Sequence, residues 1–283
     1  MEIIKSTLDY NNFYKNKLKD KTIGFVPTMG FLHEGHISLI KESTNNNQIT
    51  VVSIFVNPTQ FGKDEDYNSY PRNEANDIQL LIQNNVDVLF IPPVNDIYLE
   101  GHTSLIELNL NNDFISKLCG KYRPGHFNGV GLIVMKLFSI IKADNSYFGL
   151  KDYQQYLLIK DLAVNFYPST TVVGLDTVRE KNGLAMSSRN SYLTSGQRLV
   201  ASSIFNNLVL ISNKIIKEKN INQEELLKEF ELSLMTSSDE FKLQYFEIYD
   251  DKLNTITTYQ SKKTFIGVSI YLNNVRLIDN IFF

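Results

Sequence analysis

"PTMGFLHEGHISLI" occupies Pro27–Ile40, and the fold turns on how it is read. Just before it, "TIGFV" (Thr22–Val26) is a short apolar run closed by Pro27, which reads as a strand. Within and after it, Gly35–Glu42 reads as the start of a helix, with Ile37, Leu39 and Ile40 on an apolar side. Between strand and helix stand Gly30, Gly35 and two of the chain's four histidines, His33 and His36. A strand, a glycine turn and a helix start aim backbone N–H groups and the positive helix end at one point, which suits phosphate. Two imidazoles there can donate to phosphate oxygens as negative charge builds. Gly35 would let a base or ribose approach the backbone closely. An isolated HxxH is more often a helix cap beside a surface residue. A zinc pair lacks the HxxxH spacing and any supporting cysteine cluster.

Outward from this stretch the chain alternates between two periods. "ITVVSIFV" (Ile49–Val56) is β-branched and continuously apolar, as a strand buried on both faces should be. Asn76–Asn85 reads as a helix, and Val86–Ile91 as a further buried strand. Gly129–Ile141 is apolar nearly all round and reads as a buried helix. "SYFG", then "DYQQYLLIKDLAVNF" and "TTVVGL", repeat the strand–helix–strand step. Such alternation predicts an α/β fold, a parallel sheet with helices on both faces. After about Asp176 the texture changes. Arg198–Lys217 and Gln223–Met235 read as amphipathic helices, and "FKLQYFEIYD" and "TFIGVSIYL" as strands. The expected organisation is an α/β domain over 1–175 and a smaller α+β domain over 176–283.

Composition narrows the classes. The 283 residues carry a net charge of −3, so no global field favours nucleic acid or an anionic membrane. The single cysteine, Cys119, excludes an internal disulfide and fits a reducing cytoplasm. Following an apolar stretch, it is expected to be a buried, inert thiol. The N-terminal segment holds no apolar run of signal-peptide length, and no stretch reaches the ~20 apolar residues of a membrane helix.

Further motifs follow in order: "IFVNPTQF" (Ile54–Phe61), "YPR" (Tyr70–Arg72), "RPGHFNGV" (Arg123–Val130), "FGLKDYQQ" (Phe148–Gln155), "GLAMSSRNSYL" (Gly183–Leu193) and "RLIDN" (Arg276–Asn280). Asn57 and Gln60 end a buried strand with two uncharged amides, where ligands of open parallel sheets bind. Taken singly, Lys151–Asp152 also reads as an ion pair at a helix start. One of Gln154 and Gln155 reads as a solvated face, and His126 reads equally as structural or functional. "HEGH" resembles the HxGH signature of class I synthetase-like nucleotidyltransferases, and "MSSR" their KMSKS loop, with Ala185 in place of the first lysine. Together and in this order the motifs resemble the pantoate–β-alanine ligase family, over essentially the whole chain.

The resemblance implies a Rossmann-like nucleotidyltransferase domain with the C-terminal domain as a lid. It implies ATP-dependent, Mg²⁺-assisted joining of pantoate to β-alanine through a pantoyl adenylate. ATP would be held by Pro27, Thr28, Met29, Gly30, Phe31, Leu32, His33, Glu34, Gly35 and His36. Gly149, Leu150, Lys151, Asp152, Val178, Met186, Ser187, Ser188 and Arg189 would complete that site. His36 would act as the proton donor with His33 beside it, and Lys151 and Arg189 would neutralise phosphate charge. Gln60, Gln155 and Asn57 would hold the substrates, and Asp77 would help place Mg²⁺. A homodimer formed through the N-terminal domain is expected on the same ground. Other small adenylyl- or cytidylyltransferases usually lack the "NPTQF" and "KDYQQ" segments. A tRNA synthetase would need an anticodon-binding extension, and a regulator that had lost catalysis would show a damaged histidine or lysine.

Overall fold

The protein is seen in a computed structural model that describes residues 1–63, 65–98 and 106–283. The chain divides into two compact units: Met1–Asn112, Arg123–Leu150 and Gln154–Asp176 form the first, and Asp113–Tyr122, Lys151–Tyr153 and Thr177–Phe283 the second.

The first unit is a sheet with helices against it. Its strands are β1 (Glu2–Ile4), β2 (Ile23–Thr28), β3 (Ile49–Ile54), β4 (Val88–Phe90), β5 (Asn145–Gly149) and β6 (Thr171–Leu175). Among the described residues they lie in the order β1-β4-β3-β2-β5-β6, every pairing parallel. The helices are α1 (Thr7–Phe13), α2 (Glu34–Asn46), α3 (Glu74–Gln83), α4 (Val94–Ile97), α7 (His126–Ile141) and α8 (Tyr153–Phe166); α5 (Asn112–Ile115) and α6 (Leu118–Tyr122), between α4 and α7 in the chain, fall almost wholly in the second unit. Alternate strand residues feed two cores. Phe25, Val51, Phe90 and Phe148 join Tyr10, Ile133, Val134 and Ile159 on one side. Val26, Val52, Leu89 and Tyr147 join Ile37, Ile40 and Leu81 on the other. A strand serving two cores must be apolar at every position, which is why these runs do not alternate.

Pro27 does not end β2. It lies inside the strand, opposite Ser53. The Thr28 carbonyl accepts from Phe55 N at 3.0 Å, so Thr28 faces β3 and Pro27 faces the other way. On that side β2 pairs with β5 only at Gly24 and Phe25, so the missing proline N–H breaks no ladder bond.

In the second unit α9 (Ser195–Ala201), α10 (Ser203–Glu218) and α11 (Gln223–Ser237) accompany an antiparallel sheet of β7 (Phe241–Asp250), β8 (Thr264–Leu272) and β9 (Val275–Phe282). The single helix expected over Arg198–Lys217 is two, joined at Ser202, whose hydroxyl donates to Leu199 O at 2.6 Å. Ser195–Glu218 is, among the described residues, the one helical run long and apolar enough to cross a membrane. Its Ile204, Leu208, Ile211 and Ile215 are buried in the unit's core, which accounts for the apolar face. Cys119 is less buried than expected and has polar neighbours. It is half-buried, 3.2 Å from the Tyr245 hydroxyl, and accepts from Arg276 at 3.4 Å, because α6 packs on β8 where polar side chains of β7 and β9 reach it.

Candidate active site

The loop between β2 and α2 is built from its own side chains. Gly30 has φ +80°, and a Cβ there would stand 3.0 Å from Ile54 and 3.1 Å from the Asp77 carboxylate. Phe31 also takes a left-handed φ, 52°, which a bulky residue adopts only when its surroundings insist. Asp77 supplies that insistence. Its two oxygens accept from Phe31 N and Leu32 N, each at 2.8 Å. Burial pushes the Asp77 carboxyl above its ordinary value, against the opposing pull of these two amides.

His33 is the N-cap of α2. Its Nδ1 accepts from Gly35 N at 3.1 Å, while His36 Nδ1 accepts from His33 N at 3.3 Å. A ring nitrogen that accepts carries no proton, so in both neutral imidazoles the proton sits on Nε2. The rings lie 4.0 Å apart, centroid to centroid. The cap and the chemistry are therefore compatible: one nitrogen of each ring satisfies a helix N–H that would otherwise lack a partner, and the other is a donor.

Gln60 ends the short turn Pro58–Gln60 after β3. Its Nε2 donates to Met29 Sδ at 3.3 Å and its Oε1 accepts from Asn57 at 3.1 Å. Each end of the amide keeps capacity for one further bond. Asn57 is 1% exposed and bonded to Gly129 O, Thr59 and Tyr98. It braces Gln60 from behind. The "RPGHFNG" motif does the same. A Cβ on Gly129 would come within 2.3 Å of Thr59 O, so only glycine lets α7 lie against this turn. His126 Nδ1 sits 2.8 Å from Gln60 O, and its Nε2 sits 2.9 Å from Arg123 Nη1. Arginine only donates, so Nε2 accepts and Nδ1–H donates to the Gln60 carbonyl. Arg123 in turn forks onto Glu65. Burial acts to raise the Glu65 carboxyl, but its bonds to Arg123 outweigh that and hold it below the ordinary value.

These groups lie at the carboxyl ends of β2 and β3. The strand order reverses beside β2, where the chain continues to β5 on the other side, and ligands of open α/β sheets bind at such a switch point. β5 ends there at Gly149, around which a Cβ would meet nothing within 4 Å. Gln154 is buried, whereas Gln155 is half-buried and its amide makes no hydrogen bond among the described residues. The chain belongs to the pantoate–β-alanine ligase family. A family model described as Pantoate-beta-alanine ligase matches residues 2–282. A pantothenate synthetase from Pseudothermotoga lettingae is 42% identical over 99% of this chain and 98% of its own. A solved pantothenate synthetase from Thermus thermophilus superposes with a TM-score of 0.90 at 34% identity, covering 99% of both chains. A pantoate–β-alanine ligase from Francisella tularensis, complexed with beta-gamma ATP and beta-alanine, gives 0.81 at 38% identity, covering 100% of this chain and 97% of its own.

Within this ligase the second unit carries the other expected nucleotide residues. Val178 and Met186 close a hairpin through Met186 N to Val178 O at 3.0 Å. Ser187 caps the following turn by accepting from Arg189 N at 3.3 Å. Asn190, which sequence reasoning passed over, pins that turn to Ala185 O at 3.0 Å. Lys151 and Asp152 do form the ion pair, Nζ to Oδ2 at 3.4 Å. In the first unit Leu32 is core, with its N–H on Asp77, and Glu34 is exposed on the first turn of α2. Asp77 braces the loop from below. Among the described residues no group of three or more His, Cys, Asp or Glu could hold an ion. Glu65 gave no signal in the sequence, and the shared task of Arg123 and His126 did not show there either, because only the folded chain aligns the three behind Gln60.

Proposed function

We propose that this chain joins pantoate to β-alanine at the expense of ATP, giving pantothenate, AMP and pyrophosphate. A pantoate carboxylate oxygen attacks the α-phosphorus and pyrophosphate leaves. The β-alanine amine then attacks the acyl carbon of the pantoyl adenylate, expelling AMP with release of a proton. The observation that carries this reading is the pair of imidazoles at the start of α2, both with the proton on Nε2 at the positive end of a helix dipole. Neutral amides suit pantoate better than an arginine would, since a tight ion pair would hold the carboxylate in its ground state. Gln60 and Gln155 are assigned to its hydroxyls, and Lys151, Ser187, Ser188 and Arg189 to the phosphates. Mg²⁺ fits as a companion of the triphosphate rather than a resident of a protein cage, because this cation is commonly held by one or two carboxylates plus substrate phosphates. When bound it offsets phosphate charge. The active form is a homodimer paired through the first unit, and the reaction runs in the cytoplasm. No nucleic acid or membrane takes part.

The test is incubation with ATP, Mg²⁺, pantoate and β-alanine, following AMP and pantothenate. Without β-alanine, pantoate should still drive exchange of labelled pyrophosphate into ATP. Absence of pantothenate sinks the reading, and AMP formation that needs all three substrates with no exchange sinks the adenylate route.

A further inference from the structure

We infer that Asp279 and Asn280, consecutive residues of β9, are positioning residues that set the two phosphate-facing segments of the second unit. This rests on the assignment of Lys151 and Ser187–Arg189 to phosphate. Both are buried, and β9 is fixed by register, Asp279 opposite Val268 and Asn280 opposite Gly267 on the neighbouring strand. The Asp279 carboxylate accepts a fork from Arg179, at 2.7 and 2.9 Å, and one of its oxygens also accepts from Asn280 N at 2.7 Å. Arg179 is held on every side. It donates to Asn280 O at 3.2 Å and Gly183 O at 3.1 Å, and its guanidinium lies 3.5 Å over the Phe205 ring. Arg179 is bridged to Ala185 in the hairpin that delivers Met186 and the Ser187–Arg189 turn. The same dipeptide reaches the second segment through its amide: Asn280 Nδ2 donates to Lys151 O at 2.8 Å. One dipeptide thus grips residues 100 and 129 positions earlier in the chain.

A planar guanidinium matched to a carboxylate fixes orientation as well as distance, which a lysine in its place does not. Asn280 fixes the peptide from which the Lys151 side chain departs. A mere staple would need neither the second grip nor a site for both grips on phosphate-facing segments. The inference also gives "RLIDN" a task, where sequence alone offered only its likeness to a family.

The test uses the full chain with Asn280→Asp, which keeps the volume but cannot donate to Lys151 O, and Arg179→Lys, which keeps the charge but loses the fork. Each half-reaction is measured separately, as pantoate-dependent pyrophosphate exchange and as β-alanine capture of preformed pantoyl adenylate, alongside a thermal melt. A misplacement near 1 Å can cost ~10²-fold, so exchange should fall at least about tenfold while amine capture stays within about twofold. A smaller loss of exchange in a folded variant overturns the inference, as does a parallel loss of both half-reactions. Wild-type exchange checks the proposed function, and the variant-to-wild-type ratio checks the inference. Should wild type show no exchange, the same variants are titrated with ATP and with AMP. Weaker ATP binding with AMP unchanged upholds the positioning role, and equal effects end it.

Discussion

The loop that opens α2 and the hairpin that delivers Ser187 differ in where their support comes from. The first is held mostly by bonds spanning two or three residues: Gly30 to Thr28, Gly35 to His33, His33 to His36. Asp77 adds a distant strut. The hairpin closes locally, but its anchor, Asp279, stands 100 residues further along the chain. Support of the first kind leaves a mark in the local sequence, and support of the second kind leaves none. The difference should also show in what damage does. A locally built loop should lose chemistry without losing shape, whereas distant support should lose both.

The largest effect is expected where the two functions of one ring can be separated. His36→Asn keeps an acceptor for His33 N but removes Nε2–H, so kcat should fall ~10²–10³-fold, the usual cost of one oxyanion-stabilising donor. Helix content by circular dichroism should hold. A variant that keeps its rate, or loses α2 with it, breaks the claim that cap and catalyst are separable there.

The Gln60 turn sits between the two cases: its internal bonds are short, but Gly129 presses on it from 72 residues beyond Asn57. Gly129→Ala places a methyl against Thr59 O, and overpacking of this sort costs about 1–3 kcal/mol. The melting point should drop and the KM for pantoate should rise more than that for ATP. Equal changes in both KM values would show that the turn does not belong to pantoate.

Asp77 gives the smallest and most conditional effect. A carboxyl whose pKa is raised by folding holds its proton more tightly in the native state than in the unfolded one. Stability therefore falls as pH climbs from the ordinary aspartate value to the raised one, and is level above it. Asp77→Asn should abolish that slope. It should also leave Phe31 N or Leu32 N facing an NH₂ group, at a cost of about 1–3 kcal/mol. Melts from roughly pH 3 to pH 6 check the sign, since this interval brackets an ordinary aspartate. A steeper slope in the variant would mean that another group carries it.

How far the sequence could be read follows the same division. The strands of the first unit were legible because residues serving two cores must be apolar throughout, and the start of α2 because a cap must sit beside its helix. The pairing of β9 with β8 was not, and neither was the short edge strand β1, whose three residues are too few for any period to show. The backbone contacts of Asn57 and Asp77 were not legible, since residue type alone does not say whether an amide or a carboxylate also meets a backbone group. Cys119 looked apolar from its neighbours in the chain and proved polar from its neighbours in space.

The cap of α2 has a consequence for how this chain can drift. Serine, threonine, aspartate or asparagine would start the helix as well as His33 does or better, since imidazole is not among the preferred caps. Folding alone therefore exerts no pressure to keep a histidine at 33. A lineage released from the reaction could exchange it there in a single step, hold its shape, and pass every test of foldedness while the chemistry was gone. A polar non-histidine at 33 in an otherwise intact relative would then be an early sign of a retired active site, visible before any loss of stability.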